Sequence, residues 1–475
     1  MVRGVFWSAV QKYSGIVIQL LVSAVLARLL SPSEFGVVAL ASVLIVFIQL
    51  FSDMGLGAAI VQRNDLDEED YDHLFSFSVY LGVFLALIVL VSSYFVASFY
   101  GDELLIPIVQ LMAIPLLLGT VNMVPNSLLA KAKRFKFLAL RTLAFQVISG
   151  VISVVAALLG MGCFSLLISP IFTSFGVLFV NFRQYPRRFH FRMDWSPLKR
   201  IFSYSFFYFL FCVSNYFTRN LDKLIIGKHF SMADLGYYEK SYRLMMLPLQ
   251  QITHVVTPVM HPIFADLQNE KGRMGVGYGK ILRLLSMISF PVGVFLYFAA
   301  DNLICLVYGS QWIPAIPVFE ILTFSVPIQV LIATTGSIYQ ASGRTDWLFY
   351  AGTFHSFITI VGFLLAAYGW GSVEAMAWAF VITMNVHFFI SLYVIYCVIM
   401  KLTYGPVLKI FVHPVTHAVL LIVLLWGVDL LDWGHFPCLM LQGMVSVLTA
   451  LLYYQFVGGY DWRKIVNDIT KMKKG

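Results

Sequence analysis

Residues 74–99 read LFSFSVYLGVFLALIVLVSSYFVASF, a run of 26 residues without one charged side chain. A helix of about 20 apolar residues crosses the ~30 Å hydrocarbon layer of a bilayer, so this run is long enough to span a membrane. Runs of similar length recur from one end of the chain to the other. Because closed helices satisfy their own backbone hydrogen bonds in lipid, the pattern predicts an all-α polytopic membrane protein.

The composition supports the same class. Of the 475 residues, 60% are hydrophobic and only 12% are charged, whereas soluble domains carry about 25% charged residues. The formal net charge of +8 could indicate nucleic-acid binding, but no nucleic-acid-binding motif accompanies it. Basic cytoplasmic loops of a membrane protein explain the charge better.

The sequence predicts about fourteen transmembrane helices. They lie near 5–28, 34–57, 74–99, 104–129, 138–159, 163–182, 201–227, 233–262, 281–300, 317–340, 348–368, 374–399, 407–427 and 437–457. The long polar stretch from Arg183 to Arg200 separates the first six from the last eight. We therefore expect one six-helix bundle at 1–200, a second at 201–400, and two extra helices with a basic tail at 401–475. Prolines inside the fourth, eighth and tenth spans predict bends there.

Lys and Arg are concentrated in alternate loops, which predicts the orientation of the chain. The loops predicted to be cytoplasmic hold almost all of them, and the outer loops hold only Arg28 and Lys228. Both termini are then cytoplasmic. One inner loop, at 65–70, is acidic instead, but acidic residues count little in this rule. Tryptophans near span ends indicate an interfacial aromatic belt; these are Trp312, Trp370, Trp433 and Trp462.

An internal repeat supports two halves of equal orientation. Residues 31–36 read SPSEFG and residues 231–236 read SMADLG, each between the first and second spans of its half. In each copy a serine is followed three residues later by a carboxylate, which is a capping-box pattern. A weaker echo pairs Ser127 and Arg134 with Ser337 and Arg344. Two such halves predict a parallel duplication around a central cavity.

Charged side chains inside spans are the main functional signal, since each costs roughly 2.5–3.5 kcal/mol to insert. The predicted substrate-binding residues of a cationic cavity are Lys12, Asn215, Arg219, Asp222, Lys223, Lys240 and Arg243. Asn215, Arg219 and Asp222 share one helical face. Arg219 can pair with Asp222, and Glu239 with Arg243, at helical spacing.

A structural alternative stands beside this interpretation, because the same groups could only lock helices together or extend to the membrane surface. The matching positions of the first half are mostly neutral, with Gln19 opposite Arg219 and Ser23 opposite Lys223. This asymmetry predicts that the second half holds an anionic headgroup more tightly.

No pattern of catalytic or metal-binding residues accompanies these charges. The five cysteines contain no CxxC pair and are interpreted as small apolar residues. His254 and His261 are seven residues apart on the eighth span and could form a proton relay or bind a metal. Because no third ligand lies nearby, we interpret them as packing residues. The sequence lacks a Gly-rich phosphate loop and an HExxH motif. We therefore expect no enzyme, no cofactor and no metal site, with transport driven by a gradient or by the substrate's own concentration.

Several segments resemble lipid-linked oligosaccharide flippases of the multidrug/oligosaccharidyl-lipid/polysaccharide exporter superfamily, over roughly residues 1–400. The matching segments are RLLSPSEFG at 28–36, DMGLG at 53–57 and AIVQ at 59–62. In the second half they are NLDKLIIG at 220–227 and LGYY at 235–238. That last cluster is similar to the colanic-acid and teichuronic-acid exporter branch.

The resemblance implies two six-helix bundles, V-shaped in one state as in multidrug MATE transporters. It implies flipping of undecaprenyl-pyrophosphate-linked oligosaccharide repeat units by alternating access across a bacterial inner membrane, for O-antigen, capsule or exopolysaccharide. A polysaccharide polymerase and glycosyltransferases are the further partners it suggests. The alternatives are a cation-coupled multidrug antiporter on the same fold, a membrane enzyme of polysaccharide assembly, and a scaffold for such an assembly. An antiporter for cationic drugs should have buried carboxylates in its cavity. The cavity of this protein is predicted to be basic, which counts against an antiporter.

Overall fold

A computed structural model of the chain describes residues 2–53, 56–63, 65–192, 194, 213, 216–431 and 433–457. The chain forms two compact units, Met1–Gly236 and Tyr237–Gly475. The boundary falls inside one helix, whose first turn belongs to unit 1. The predicted division at residues 200 and 400 stays a prediction.

Among the described residues of unit 1, every regular secondary-structure element is a helix. They are α1 (Val2–Leu29), α2 (Pro32–Asp53), α3 (Leu56–Gln62), α4 (Glu68–Tyr100), α5 (Leu105–Val121), α6 (Met123–Lys131), α7 (Phe135–Leu158), α8 (Ser165–Gln184), α9 (216–229) and the first turn of α10 (Met232–Ala265). Helix α4 packs along α5, α7 packs on both α1 and α8, and α3 packs on α6.

Unit 2 continues α10 and adds ten helices. They are α11 (Lys271–Phe298), α12 (Ala300–Val307), α13 (Ile316–Thr323), α14 (Val326–Ile332), α15 (Thr335–Ala341), α16 (Thr345–Leu365), α17 (Val373–Tyr393), α18 (Gly405–Leu408), α19 (Val412–Asp429) and α20 (His435–Phe456). A short 3-10 helix, Ser310–Ala315, precedes α13. Helix α11 packs on α14 and α19, α16 on α17, and α20 on both α12 and α19.

The helices confirm a polytopic membrane protein. Ten are long and apolar enough to cross a bilayer, and two bent helix pairs raise the number to as many as twelve in the described residues. These twelve coincide with twelve of the fourteen predicted spans. The seventh predicted span lies mostly outside the described residues. The eighth is α10, a single 34-residue helix whose first three turns are rich in charge.

Proline explains where the two bent pairs occur. Helices α5 and α6 are bent by 41° at a break that lies between Pro115 and Pro125. The second pair joins Ser310–Thr323 to Val326–Ala341 and is bent by 47° at a break just before Pro327. A proline ring removes one backbone hydrogen bond and clashes with the preceding turn, so bends form at such sites. Three prolines in α10 leave it one continuous helix.

Exposed and buried surfaces can be distinguished along single helices. On α4, Phe84, Val91 and Phe95 are 60–72% exposed and lie on one stripe. The core of unit 2 holds Tyr278 and Tyr396, stacked at 5.9 Å. The Tyr396 hydroxyl donates to the Gly275 carbonyl at 3.0 Å, so this buried polar group is satisfied.

The aromatic belt stays a prediction, and of its four tryptophans Trp462 lies outside the described residues. Trp370 and Trp433 are 75% and 55% exposed. Trp312 is fully buried. It packs edge-on to Tyr237 at 5.9 Å and beside Tyr308 at 5.7 Å.

Both copies of the predicted repeat form capping boxes. In the first, the Ser31 N–H donates to Glu34 Oε2 at 2.7 Å, and the Glu34 N–H donates to Ser31 Oγ at 3.4 Å. In the second, the Ser231 N–H donates to Asp234 Oδ2 at 3.1 Å, and the Asp234 N–H donates back to Ser231 Oγ at 3.1 Å. Each box satisfies two backbone donors at a helix start.

The weaker repeat, which pairs Arg134 with Arg344, also has a structural counterpart. Arg134 is the residue before α7, and Arg344 is the residue before α16. Each follows a residue in the left-handed region, Lys133 with φ 54° and Gly343 with φ 66°. Each of these turns comes just after one of the two bent helix pairs, so the two halves share local geometry as well as sequence.

Contacts within unit 1 join loops that the charge pattern places on the same side. The Glu34 carboxylate lies against Gly162, 2.6 Å from the position that a Cβ would take there. The Lys228 ammonium lies 4.4 Å from the centre of the Phe99 ring. Both pairs connect loops predicted to be outer, which agrees with the alternation of sides.

The irregular segment 186–192, which we call the strap, lies along the first turns of α4 at the predicted inner side. Arg187 binds Glu68 at 2.7 Å and approaches Asp72 at 3.5 Å. The backbone N–H of His190 donates to the Ser76 hydroxyl at 2.9 Å. The acidic loop that departs from the charge rule thus neutralises part of the basic segment after α8.

Candidate functional site

The two repeat copies meet within unit 1 at a glycine–glycine contact. A Cβ on Gly36 would lie 1.7 Å from the Met232 carbonyl oxygen, and a Cβ on Gly236 would lie 2.1 Å from the Pro32 carbonyl oxygen. The approach is reciprocal, because each glycine meets the first helical residue of the other copy. Only a residue without a side chain permits such close backbone packing.

Helix α9 is held on α2 next to this contact. The Tyr216 hydroxyl donates to the Val43 carbonyl, and the Phe217 ring lies 4.9 Å from the Phe47 ring. At the other end of α9, a Cβ on Gly227 would lie 3.1 Å from a methyl group of Leu40. Packing along α2 therefore fixes which face of α9 is buried.

The predicted site residues of α9 differ in exposure. Asp222 is 1% exposed, and its Oδ1 accepts the Lys223 backbone N–H at 2.8 Å. Lys223 is half-buried and Arg219 is exposed. Asn215 lies outside the described residues. On α1, Lys12 is half-buried.

Lys240 and Arg243 belong to unit 2 and are placed differently. Lys240 is 3% exposed, and its Nζ lies 5.0 Å from the Tyr308 ring centre and 5.8 Å from that of Trp312. Two aromatic faces stabilise a buried cation by their quadrupoles. Arg243 pairs with Glu239 at 3.6 Å, as the helical spacing predicted, and the Arg243 side chain is 55% exposed.

The structure adds a polar network in unit 1 that the sequence analysis missed. Arg141 of α7 donates to Asn181 of α8 and, at 3.4 Å, to Asn126 of α6. Asn181 donates in turn to Asn122 at 2.7 Å. The Arg141 Nε is buried without a hydrogen-bond partner. A charged residue inside a predicted span was the signal that could have found it.

A cavity of about 620 Å³ lies within unit 2. Its lining comes from α11, α13, α14, α17, α18 and α19 with the short turn after α18, and it includes Phe290, Tyr297, Phe324, Phe388, Phe389, Phe411 and Val415. Asn385 and Thr323 supply polar groups. Such a lining suits hydrocarbon and not a diphosphate, because burying charge without partners is costly.

A family described as "Polysaccharide biosynthesis protein" matches residues 25–317, which is more than half of the chain. The chain belongs to this family. Its relatives include the teichuronic acid biosynthesis protein TuaB of Bacillus subtilis (strain 168), 28% identical over 74% of this chain and 73% of that protein. The lipopolysaccharide biosynthesis protein WzxC of Escherichia coli (strain K12) is 23% identical over 78% of this chain and 76% of that protein.

The chain has the fold of two solved membrane proteins. The inward closed conformation of the lipid II flippase MurJ matches with a TM-score of 0.75 at 16% identity, covering 97% of this chain and 100% of that one. An inward-facing multidrug MATE transporter of the MOP superfamily matches with a TM-score of 0.57 at 17% identity, covering 79% of this chain and 92% of that one. The predicted MATE-like fold is confirmed, and its V shape stays a prediction.

Proposed function

We propose that the protein flips undecaprenyl-pyrophosphate-linked oligosaccharide repeat units from the inner to the outer leaflet. One observation carries this proposal: a member of a polysaccharide-biosynthesis family has, over 97% of its length, the fold of a flippase for a lipid-linked precursor. The succinoglycan biosynthesis transport protein ExoT of Rhizobium meliloti (strain 1021), 26% identical over 79% of this chain and 76% of that protein, supports transport as the activity.

The charges of unit 1 suit a diphosphate-linked sugar. Arg219 is exposed and Lys223 half-buried on one helix, and Lys12 is half-buried on α1. Ionised donors form short, strong hydrogen bonds with phosphate oxygens. The headgroup then crosses along polar surface while the prenyl tail stays in lipid, which avoids taking phosphates through hydrocarbon.

In unit 2, the two proposed substrate-binding cations are Lys240 and Arg243. Arg243 is half exposed and already paired with Glu239, so its contribution requires exchange of that carboxylate for a phosphate. Lys240 would have to leave its aromatic neighbours. Among the two, Arg243 is therefore the stronger candidate for contact with substrate in the described conformation.

The setting follows from the same proposal. The protein lies in the bacterial plasma membrane with both termini in the cytoplasm, as the bias of Lys and Arg favours. The oligosaccharide precursor comes from glycosyltransferases on the inner face, and a polymerase consumes it on the outer face. The proposal includes no catalytic step and no cofactor.

Deletion of the gene tests the proposal against its rivals. We expect the lipid-linked repeat unit to accumulate in the cytoplasmic leaflet, as shown by its resistance to a glycosidase added outside spheroplasts. A membrane enzyme predicts an immature or missing precursor instead. An antiporter predicts increased sensitivity to cationic drugs with normal surface polysaccharide, and either result would exclude flipping.

A further inference from the structure

Three side chains with metal-binding donor atoms converge in unit 2, where α12 meets the start of α20. Asp301 and Cys305 are four residues apart on α12 and share one helical face. His435 is the first residue of α20. The candidate ligand atoms of these three residues all lie within 4.8 Å of one another.

The distances suit coordination of one ion. The Cys305 Sγ lies 3.5 Å from the Asp301 Oδ1, and the His435 Nδ1 lies 3.4 Å from the Asp301 Oδ2. Ligands bound to zinc at about 2.0–2.3 Å in a tetrahedron are roughly 3.3–3.8 Å apart. The two separations measured to Asp301 therefore match tetrahedral spacing, each through a different carboxylate oxygen, and the separation of Cys305 from His435 is below 4.8 Å.

The donor set selects the class of metal. Thiolate sulfur, imidazole nitrogen and carboxylate oxygen are the ligands of zinc and related first-row ions. Calcium and magnesium prefer oxygen ligands alone. We propose that Asp301, Cys305 and His435 bind one zinc-class divalent ion, with water as the fourth ligand, and so join α12 to the start of α20.

A hydrogen-bond network stands behind these residues. The His435 Nδ1 lies 2.9 Å from Asn302 Oδ1, so binding of an ion by this nitrogen would replace its hydrogen bond to Asn302. Asn302 also donates to Gln442 at 3.3 Å, and Gln442 donates to Asp429 at 2.7 Å.

The thiol also has a defined state without a cation. In the described structure the Cys305 thiol donates a hydrogen bond to the Asp301 Oδ1 at 3.5 Å. A bound divalent ion reverses this state, because a coordinating thiol is deprotonated. The competing explanation is a hydrogen-bonded link between the helices that binds no ion.

Cobalt titration of the full-length protein in detergent separates these explanations. We expect one equivalent of Co²⁺ to give a thiolate-to-cobalt charge-transfer band that Zn²⁺ removes. Cys305→Ser should abolish the band, and His435→Gln should weaken zinc binding about tenfold or more. Cys397→Ser, which changes a half-buried cysteine outside the cluster, should bind as the wild type does.

A wild-type protein without the band, or a band that survives Cys305→Ser, would overturn the site. Should either variant fail to fold, alkylation of the wild-type protein followed by mass spectrometry still decides. Zinc that protects Cys305 and leaves Cys397 unprotected supports the site, whereas unchanged alkylation of Cys305 contradicts it. Neither result bears on transport, since the cluster shares no residue with the proposed substrate path.

Discussion

At Gly36 and Gly236, the absence of a Cβ atom allows the starts of two helices to pack together. In each, the position of a Cβ is filled by a carbonyl oxygen of the other repeat copy. The backbone would have to move to admit a methyl group, and overpacking of this kind costs about 1–3 kcal/mol.

We expect Gly36→Ala to lower the thermal unfolding temperature of the purified protein by several degrees. Gly119→Ala is the matched control, because Gly119 lies inside α5 with open space around its Cβ position. Alanine in a helix interior is favoured over glycine by about 0.5–1 kcal/mol, so the control should be neutral or stabilising. Equal effects of the two substitutions would contradict the tight contact.

The sequence predicted some of this detail and missed the rest. Ser31 and Ser231 were found as caps, because a capping box is read from four adjacent residues. The glycine contact joins segments 200 residues apart, and nothing local signals it. The same holds for the Asp301, Cys305 and His435 cluster, which depends on two helices far apart in the chain.

At the scale of elements, the turns before α7 and α16 share a residue in the left-handed region but differ in the type of that residue. Lys133 has φ 54°, where Gly343 has φ 66° in the other half. A side chain in the left-handed region costs roughly 1–2 kcal/mol, and glycine recovers most of that at some cost in chain entropy.

Lys133→Gly should therefore stabilise the protein by about 1 kcal/mol. Lys133→Gln removes the charge while keeping the Cβ, so it should leave the stability unchanged. Gly343→Ala should destabilise the protein, since its Cβ would also meet Gln268 at 2.7 Å. Chemical denaturation measures all three; stabilisation by Lys133→Gln would point to charge repulsion and against backbone strain.

The strap along α4 is an element that charge holds in place. The Arg187 side chain is 9% exposed and its partner Glu68 is 82% exposed, so the pair is partly desolvated. Hydrogen bonds to charged groups contribute about 1.5–3 kcal/mol. We expect Arg187→Gln to speed chymotrypsin cleavage after Phe189 or Phe191 about tenfold, because cleavage follows the opened population.

Arg192→Gln provides the control for that cleavage measurement. Arg192 lies in the same segment and is exposed, so its substitution should leave the rate near that of the wild type. A similar acceleration in both variants would mean that the positive charge of the segment, and not the Arg187 pair, restrains the strap.

The helices themselves were the most predictable elements. Apolar runs placed twelve spans, because length and hydropathy alone determine what a bilayer accepts. The environment of a single charge was less predictable. Lys240 was expected in a cationic cavity, yet it lies against Tyr308 and Trp312, which come from a segment that the hydropathy pattern could not place beside it.

At the scale of the whole molecule, the orientation of the chain can be tested directly. In a variant whose five cysteines are replaced by serine, Met161→Cys should react with a membrane-impermeant maleimide in spheroplasts. Asn269→Cys should react only after permeabilisation. Both residues are exposed in their loops, and the charge rule places them on opposite sides. The reverse pattern would invert the topology.

The family and the membrane class follow from the chain at this scale, because apolar runs recur over its length and the repeat relates its two halves. The substrate path does not follow from either. It depends on which charges are exposed between helices, and hydropathy does not report the face on which a charge lies.

The most direct test of the central claim is complementation of the gene deletion with an Arg219→Gln, Lys223→Gln double variant. We expect it to reach the membrane at normal levels and to leave the lipid-linked repeat unit in the cytoplasmic leaflet. Lys228→Gln removes a cation from the same helix outside the proposed path and should restore transfer as the wild-type gene does. Full transfer by the double variant would contradict a cationic path for the headgroup.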